Sequence, residues 1–335
     1  MRAFGRNLFR ISAESGAGAG EPPRARPKIG IALGAGSARG WCHIGVLREL
    51  EAMGVKPDVI VGTSIGAVVG GCAAAGRLDE IEAFARSLTR TRVFSMLDWS
   101  LSGRGLISGG RLRAQLETGL TDVRIEALPV RFAAVATEAG SGHEVWLTRG
   151  PLADAIRASY ALPGIFEPVR LDKRWLFDGA VVNPVPVSVC RALGADIVIA
   201  INVIEAGRPI AAMRADQLLP ETVAVEPEAM AANGNGGILS AMRGHASGLR
   251  AMFRRRADGG PSMASLMIDV FNITQDRIAR SRLAGDPPDI FIRARLDGIG
   301  MFDFHRAAAL IEAGREAVRR ATHELEHVGL VQRPD

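Results

Sequence analysis

The chain has 335 residues, 47% of them hydrophobic and 23% charged, which is enough to bury a large core in one extended domain or two smaller ones. A formal charge of +5 is too small for this length to indicate a nucleic-acid binder, and none is expected as a partner, but it is compatible with an anionic surface, lipid included. Cys42, Cys72 and Cys190 lie far apart among apolar or small residues, so they form neither a metal motif nor a disulfide framework and read as reduced, buried thiols.

The N-terminal "MRAFGRNLFRIS" places Arg2, Arg6 and Arg10 at helical spacing, with Phe4, Leu8 and Ile11 roughly opposite. A membrane-surface helix, an organellar transit sequence or a frayed tail would all look like this. "AESGAGAGEPPRARP" then reads as a flexible linker. From Lys28 the pattern alternates. "KIGIAL" is a buried strand, a glycine-rich turn follows, and "WCHIGVLRELEAMG" repeats Ile44, Leu47 and Leu50 at helical spacing. "DVIVG" is the next strand, "IGAVVGGCAAAG" an apolar helix, and residues 78–90 a more polar one. "VRFAAVATEAGSGHEVWLT" predicts two strands joined around Gly140–Gly142. "RWLFDGAVVNPVP" predicts a short strand, a turn and a proline-opened helix, and "ADIVIAINVI" another buried strand.

Residues 206–265 are weaker in pattern, although "ILSAMRGHASGLRAMFRRR" spaces Leu239, Met242, Leu249 and Phe253 as a basic amphipathic helix, fit for anionic headgroups or for packing on the core. "FDFHRAAALIEAGREAVRRATHEL" predicts one long amphipathic helix opened near Asp303. The alternation argues for a three-layer α/β domain over about residues 28–205.

Residues 59–76 carry no charge, and that length approaches a marginal membrane span. Glycines, a Thr and a Ser interrupt it, and a strand turning sharply into a helix explains it better. In "GTSIG" the flanking Gly62 and Gly66 leave room for a strained turn that projects the Ser64 hydroxyl, while the following helix aims its N-terminal amides at developing negative charge. Serine alone is a poor nucleophile at neutral pH and needs a base. His43, His143, His245, His305, His323 and His327 offer no obvious candidate. Asp178, at the turn in "FDGAVVNPVP", is either that base or a cap for the next segment. In "LGAGSARGWCHIGVL" the dinucleotide fingerprint fails because Arg39 stands where its last glycine would be and Gly40 comes one residue late. An oxyanion hole needs amides and close approach, not that spacing.

Four stretches in this order, "GAGSARG", "GTSIG", "ASYALPGIFEPV" and "DGAVVNPVP", resemble the patatin-like phospholipases, in the small bacterial branch related to the catalytic domain of neuropathy target esterase. The likeness spans about residues 28–205, and "QDRIARSRLAGDPPDIFIRARLDGIGMFDFHRA" extends it towards the C-terminus. The resemblance implies a three-layer fold with a mostly parallel central sheet flanked by helices. It also implies a dyad with Ser64 as nucleophile and Asp178 as general base of the Asp-Gly motif, Gly179 supporting the turn. The oxyanion loop would run through Gly34, Ala35, Gly36, Ser37, Arg39 and Gly40, with the amides around Gly36 and Ser37 as donors and Arg39 holding the loop or its charge. Ala35 and Ser37 replace glycines found in many members. Ser159, Pro163 and Phe166 match a supporting stretch near the site.

The expected division is a flexible basic segment over 1–27, a catalytic core over 28–205, a flexible or lid-like basic insertion over 206–265 and a helical part over 266–335 that completes the domain. The expected activity is hydrolysis of phospholipid or lysophospholipid acyl esters through an acyl-enzyme, without metal or cofactor. Peripheral contact with an anionic membrane would be made through residues 1–12 and 238–256, from a cytoplasmic location or the inner face of a membrane. Three rivals stand beside this: a non-catalytic lipid-binding or regulatory relative, an α/β-hydrolase triad using His245 or His305, and a nucleotide-binding oxidoreductase. A carboxylate of ordinary pKa, about 4, accepts a serine proton poorly, so the dyad requires a site that perturbs Asp178. By this reasoning a rate governed by a group titrating near pH 6.5 would indicate a histidine.

Overall fold

A computed structural model describes residues 26–96, 119–120, 122–204, 263–296 and 298–332. The two basic amphipathic stretches at 1–12 and 238–256 lie outside these residues. The described chain begins as the alternating pattern requires: β1 (Ile29–Leu33), a 3-10 turn at Ser37–Trp41, α1 (Cys42–Ala52), β2 (Val59–Thr63), α2 (Ile65–Ala74), α3 (Leu78–Arg86) and α4 (Arg90–Met96). The uncharged run at 59–76 is thereby divided between a strand and a helix. Among the described residues no helix is long and apolar enough to cross a membrane.

The second half of the core supplies β3 (Arg131–Glu138), β4 (Glu144–Leu147), α5 (Leu152–Tyr160), β5 (Val169–Leu171), β6 (Arg174–Asp178), α6 (Val187–Ala192) and β7 (Ile197–Asn202). After the residues not described come α7 (Met263–Gly285), β8 (Ile290–Arg293), α8 (Ala307–Arg320) and α9 (Thr322–His327). The expected boundary at 265/266 therefore falls inside the first turn of a helix.

The eight strands form one sheet in which β3, β2, β1, β7 and β8 run parallel and β4 and β6 pair antiparallel with β3. β1, β2, β3 and β7 are buried on both faces, which is why they read as apolar runs. Strand alternation divides them cleanly. Ile31 and Leu33 of β1, Phe132 of β3, Ile199 and Ile201 of β7 and Ile290 and Ile292 of β8 join the core beneath α1, α2, α5 and α8. Ala32, Ala133, Val135, Val198 and Ala200 point the other way, into a second core shared with α6 and with Ala279 of α7. This is the expected three-layer arrangement with a mostly parallel sheet.

Two expectations for the C-terminal part need correcting. It is not purely helical: the short apolar run at Ile290–Arg293 pairs in parallel with β7, Ile201 opposite Ile292, and extends the sheet by one strand. The long helix after Asp303 is also broken. It opens as a 3-10 turn at Phe304–Arg306, and α8 and α9 are separated at Ala321. Amphipathic periodicity continues through that break because Ala321 and Leu325 are both buried, so the pattern alone could not locate it. The face of α8 packs closely on α1, where a Cβ on Gly45 would collide with the Ile311 carbonyl and one on Gly314 with the Cys42 carbonyl.

Candidate active site

One strand aligns both halves of the site. The end of β2 pairs with β3 so that Thr63 lies opposite Val135, and β6 arrives from the opposite direction with Asp178 opposite Ala136. Because β4 occupies Ala134–Thr137 from the other side, β2 and β6 share a single edge of β3 and meet there end to end. Ser64, the residue after β2, and Asp178, the last of β6, are thus brought together across 114 positions of sequence.

Ser64 sits at φ 58°, ψ −122°, a region that a residue with a side chain enters only when its surroundings impose it. Several neighbours impose it here. Its N–H donates to Ser159 Oγ at 2.9 Å, and Ser159 in turn donates to the Val135 carbonyl at 2.6 Å. Its own carbonyl accepts from Ala67 and Val68 in the first turn of α2. Gly62 and Gly66 are required by close approach: a Cβ on Gly62 would strike the Gly66 backbone, and one on Gly66 would strike the Leu33 carbonyl and come within 2.8 Å of the Gly34 carbonyl oxygen. A Cβ on Gly179 would strike the Val135 carbonyl, which explains the glycine after the aspartate.

Asp178 is held at four atoms. Its N–H donates to the Ala161 carbonyl at 3.0 Å, its carbonyl accepts from Thr137 Oγ1 at 2.8 Å, Oδ1 accepts from the Ala180 N–H at 2.8 Å, and Oδ2 accepts from Ser64 Oγ at 2.7 Å. With only 2% of its surface exposed, burial pushes its carboxyl up to about 7, and the Ser64 and Ala180 hydrogen bonds only partly oppose this. A carboxylate that is half protonated near neutrality and hydrogen-bonded to a hydroxyl can take that hydroxyl's proton. The pH criterion drawn from the sequence is corrected accordingly: a rate limb near pH 6.5–7 no longer implicates histidine, because the buried aspartate titrates there itself.

The glycine loop is narrower in use than the sequence implied. The Gly34 N–H is taken by the Ile201 carbonyl, that of Ala35 by Pro184, that of Ala38 by Met301 and that of Arg39 by Gly36. Among the described residues no acceptor takes the N–H of Gly36 or of Ser37, the two amides between these anchors. Ser37 also has a positive φ of 53°. Gly40 packs so tightly on Ile65, the residue after the serine, that a Cβ there would collide with its side chain. The Arg39 side chain turns towards the C-terminal part, where its Nε donates to the Ile299 carbonyl at 2.9 Å. That contact, with the Ala38 bond to Met301, braces the loop from a distant stretch of chain.

Sequence reasoning passed over Thr63, Thr137 and Asn183. Thr63 Oγ1 donates to the Asn183 carbonyl at 2.8 Å, and the Asn183 N–H donates to the Gly179 carbonyl, so the turn after Asp178 is tied to the strand before Ser64. Buried threonines in apolar strands carry no signal that would distinguish them from ordinary β-formers. Of the expected supporting stretch, Ser159 touches Ser64, Phe166 packs edge-on against Tyr160 with ring centroids 5.4 Å apart, and Pro163 is exposed. His305 accepts from Arg90 at 3.3 Å, His245 lies outside the described residues, and among those described no histidine hydrogen-bonds to Ser64 or Asp178. The three cysteines are buried and unpaired, with burial pushing the Cys42 and Cys72 thiols up to about 12.

Comparison with known proteins places these features in context. The family model described as patatin-like phospholipase matches residues 31–191. An NTE family protein of Mycobacterium tuberculosis strain H37Rv is 34% identical over 333 residues, covering 90% of this chain and 92% of its own length. Patatin-like phospholipase domain-containing protein 7 of Rattus norvegicus is 33% identical over 181 residues, which span 52% of this chain and 13% of that protein. The crystal structure of VipD from Legionella pneumophila superimposes with a TM-score of 0.44 and 12% identity, over 90% of this chain and 67% of that one.

Proposed function

This chain belongs to the patatin-like phospholipase family, among its NTE-type members, and from that premise we propose that it is a serine lipid acyl hydrolase working through a Ser64–Asp178 dyad. The observation that carries the reading is the 2.7 Å hydrogen bond from Ser64 Oγ to a buried carboxylate, made at a strained strand-to-helix junction. Asp178 accepts the hydroxyl proton as Ser64 Oγ attacks the ester carbonyl carbon, and the new oxyanion is received by the Gly36 and Ser37 amides. Collapse breaks the ester bond, and the departing alkoxide takes the proton from Asp178. Water, deprotonated by the same carboxylate, then attacks the acyl-enzyme, and release of the fatty acid returns the proton to Ser64. The N-terminus of α2 adds its partial positive charge on the side of the developing anion.

The substrate class proposed is a phospholipid or lysophospholipid acyl ester. Fluorophosphonate labelling of the folded protein, with the modified peptide identified by mass spectrometry, tests the chemistry. Adduct at Ser64 is the expected result. A well-folded protein that takes no adduct would move the reading to a non-catalytic lipid binder.

Peripheral contact with an anionic membrane is proposed as the route to substrate. Besides the basic stretches at 1–12 and 238–256, a described feature favours it. Leu266, Met267, Val270 and Ile273 are exposed on one face of α7, which packs against the turn at Gly179–Val181 beside Asp178. The protein is expected to co-sediment with anionic vesicles more than with zwitterionic ones, and less as salt is raised. Binding indifferent to both lipid charge and salt would remove the proposal.

A further inference from the structure

We propose that His43 is a positioning residue for the proposed reaction: by holding the Gly34 carbonyl, it fixes the stretch of loop from which the Gly36 and Ser37 amides are presented. The inference rests on the acyl-transfer reading above and adds a residue that touches neither Ser64 nor Asp178.

His43 stands in the first turn of α1, directly after the glycine loop, with none of its surface exposed. Its Nε2 lies 2.7 Å from the Gly34 carbonyl oxygen. A carbonyl oxygen can only accept, so Nε2 carries the proton and Nδ1 is left as an acceptor. That Nδ1 is buried and, among the described residues, has no hydrogen-bond partner. Leaving a polar atom unsatisfied in the interior costs stability, and leucine would fill similar space without that cost. The ring's one bond therefore has to account for its presence. Burial also lowers the imidazole pKa to about 4, so the ring is a neutral, constant donor across the working range and not a pH switch.

The peptide unit between Gly34 and Ala35 is pinned at both polar ends. Its carbonyl meets His43, and its N–H meets the Pro184 carbonyl at 2.8 Å. The next two N–H groups in the chain are those of Gly36 and Ser37, the pair without acceptors among the described residues, and the one after them is anchored again on Met301. The His43 bond thus secures one end of the free pair, as the C-terminal bonds secure the other. It also fixes where the Gly34 oxygen points. That oxygen lies against the first turn of α2, close enough that Gly66 has no room for a side chain. Glycines at 34 and 36 let the intervening backbone rotate freely once it is unpinned.

The test compares His43→Leu, which keeps bulk and loses the donor, with His43→Gln, whose amide nitrogen reaches the position of Nε2, and His43→Asn, whose shorter amide does not. Each is assayed for ester hydrolysis beside the wild type and Ser64→Ala, with thermal unfolding recorded. The expected result for His43→Leu is a fall in kcat of about 10²-fold, the scale of one weakened oxyanion donor, with KM changed by less than about threefold. His43→Gln should recover at least about tenfold of that loss and His43→Asn should not, and binding of a trifluoromethyl ketone that mimics the tetrahedral oxyanion should weaken in step with kcat. Should the leucine variant fail to fold, the Gln and Asn pair decides the matter alone. Unchanged kcat in folded His43→Leu, a loss confined to KM, or equal rescue by Asn and Gln overturns the inference. Substantial turnover by Ser64→Ala would instead overturn the acyl-transfer reading beneath it.

Discussion

Ser64→Ala is expected to lower ester hydrolysis by about 10⁴-fold or more, since no acyl-enzyme can form without the hydroxyl and the remaining groups act as a unit with it. The fold should survive the change. The Ser64 N–H to Ser159 and the carbonyl bonds into α2 are backbone ties that alanine retains. Alanine at φ 58° keeps the strain of the native turn, whereas glycine would release it, so Ser64→Gly should unfold at higher temperature than Ser64→Ala by about 1 kcal/mol in stability while being equally inactive. Inactivity together with the stability order Gly above Ala is the signature of a strained nucleophile turn. Turnover of a phospholipid by each purified variant, and their thermal unfolding, measure it. An active Ser64→Ala would sink the dyad.

Asp178→Asn carries the second large effect, and its sign depends on pH. Wild-type kcat/KM is expected to rise with pH through about 7 and then level off, because only ionised Asp178 can accept the Ser64 proton. On the plateau the asparagine variant should be slower by about 10²–10⁴-fold, the usual contribution of a general base. Stability runs the other way. Below the ordinary aspartate value of 3.8 the carboxyl is neutral in both folded and unfolded chains, and its burial in neutral form costs little. As pH rises towards 7 the unfolded chain loses this proton while the folded chain retains it, so folding stability is progressively lost until the buried group ionises. Asparagine stays neutral throughout. Its stability advantage over the wild type should be near zero at pH 4, grow to pH 7 and remain constant above, with a ceiling of about 4 kcal/mol from the size of the shift. Chemical denaturation of both proteins between pH 4 and 8 measures this. Parallel stability curves would mean that Asp178 is not held in an unfavourable charged state and would remove the basis for its activation.

Much of this was legible in the residues because the loop and turn motifs are physically demanding. "GTSIG" reads as a strand-to-helix turn since no other residues fit where Gly62 and Gly66 meet backbone. The parallel strands read as apolar runs because both their faces are covered. What was not legible depends on distant parts of the chain. Nothing local to Ile290–Arg293 indicates that β7 has an open edge to receive it. Nothing local to Arg39 announces Ile299 as its acceptor. The perturbed acidity of Asp178 likewise follows from burial, which the turn sequence "FDGA" does not reveal.

The meeting of β2 and β6 along one edge of β3 has a consequence for how activity can be lost. Three register pairs, Ala136 with Asp178, Thr137 with Phe177 and Glu138 with Leu176, attach the strand bearing the aspartate to the strand that aligns the serine. On its other side β6 has only the three-residue β5 as a neighbour. The proposed catalytic pair is therefore split between the wide parallel sheet and a small antiparallel flap on its margin. Short marginal elements open more readily than the centre of a sheet. A modest denaturant concentration, or a partner that pulls on the margin, could thus part Ser64 from Asp178 and silence the proposed activity while the parallel sheet stays folded, so loss of activity would precede loss of structure.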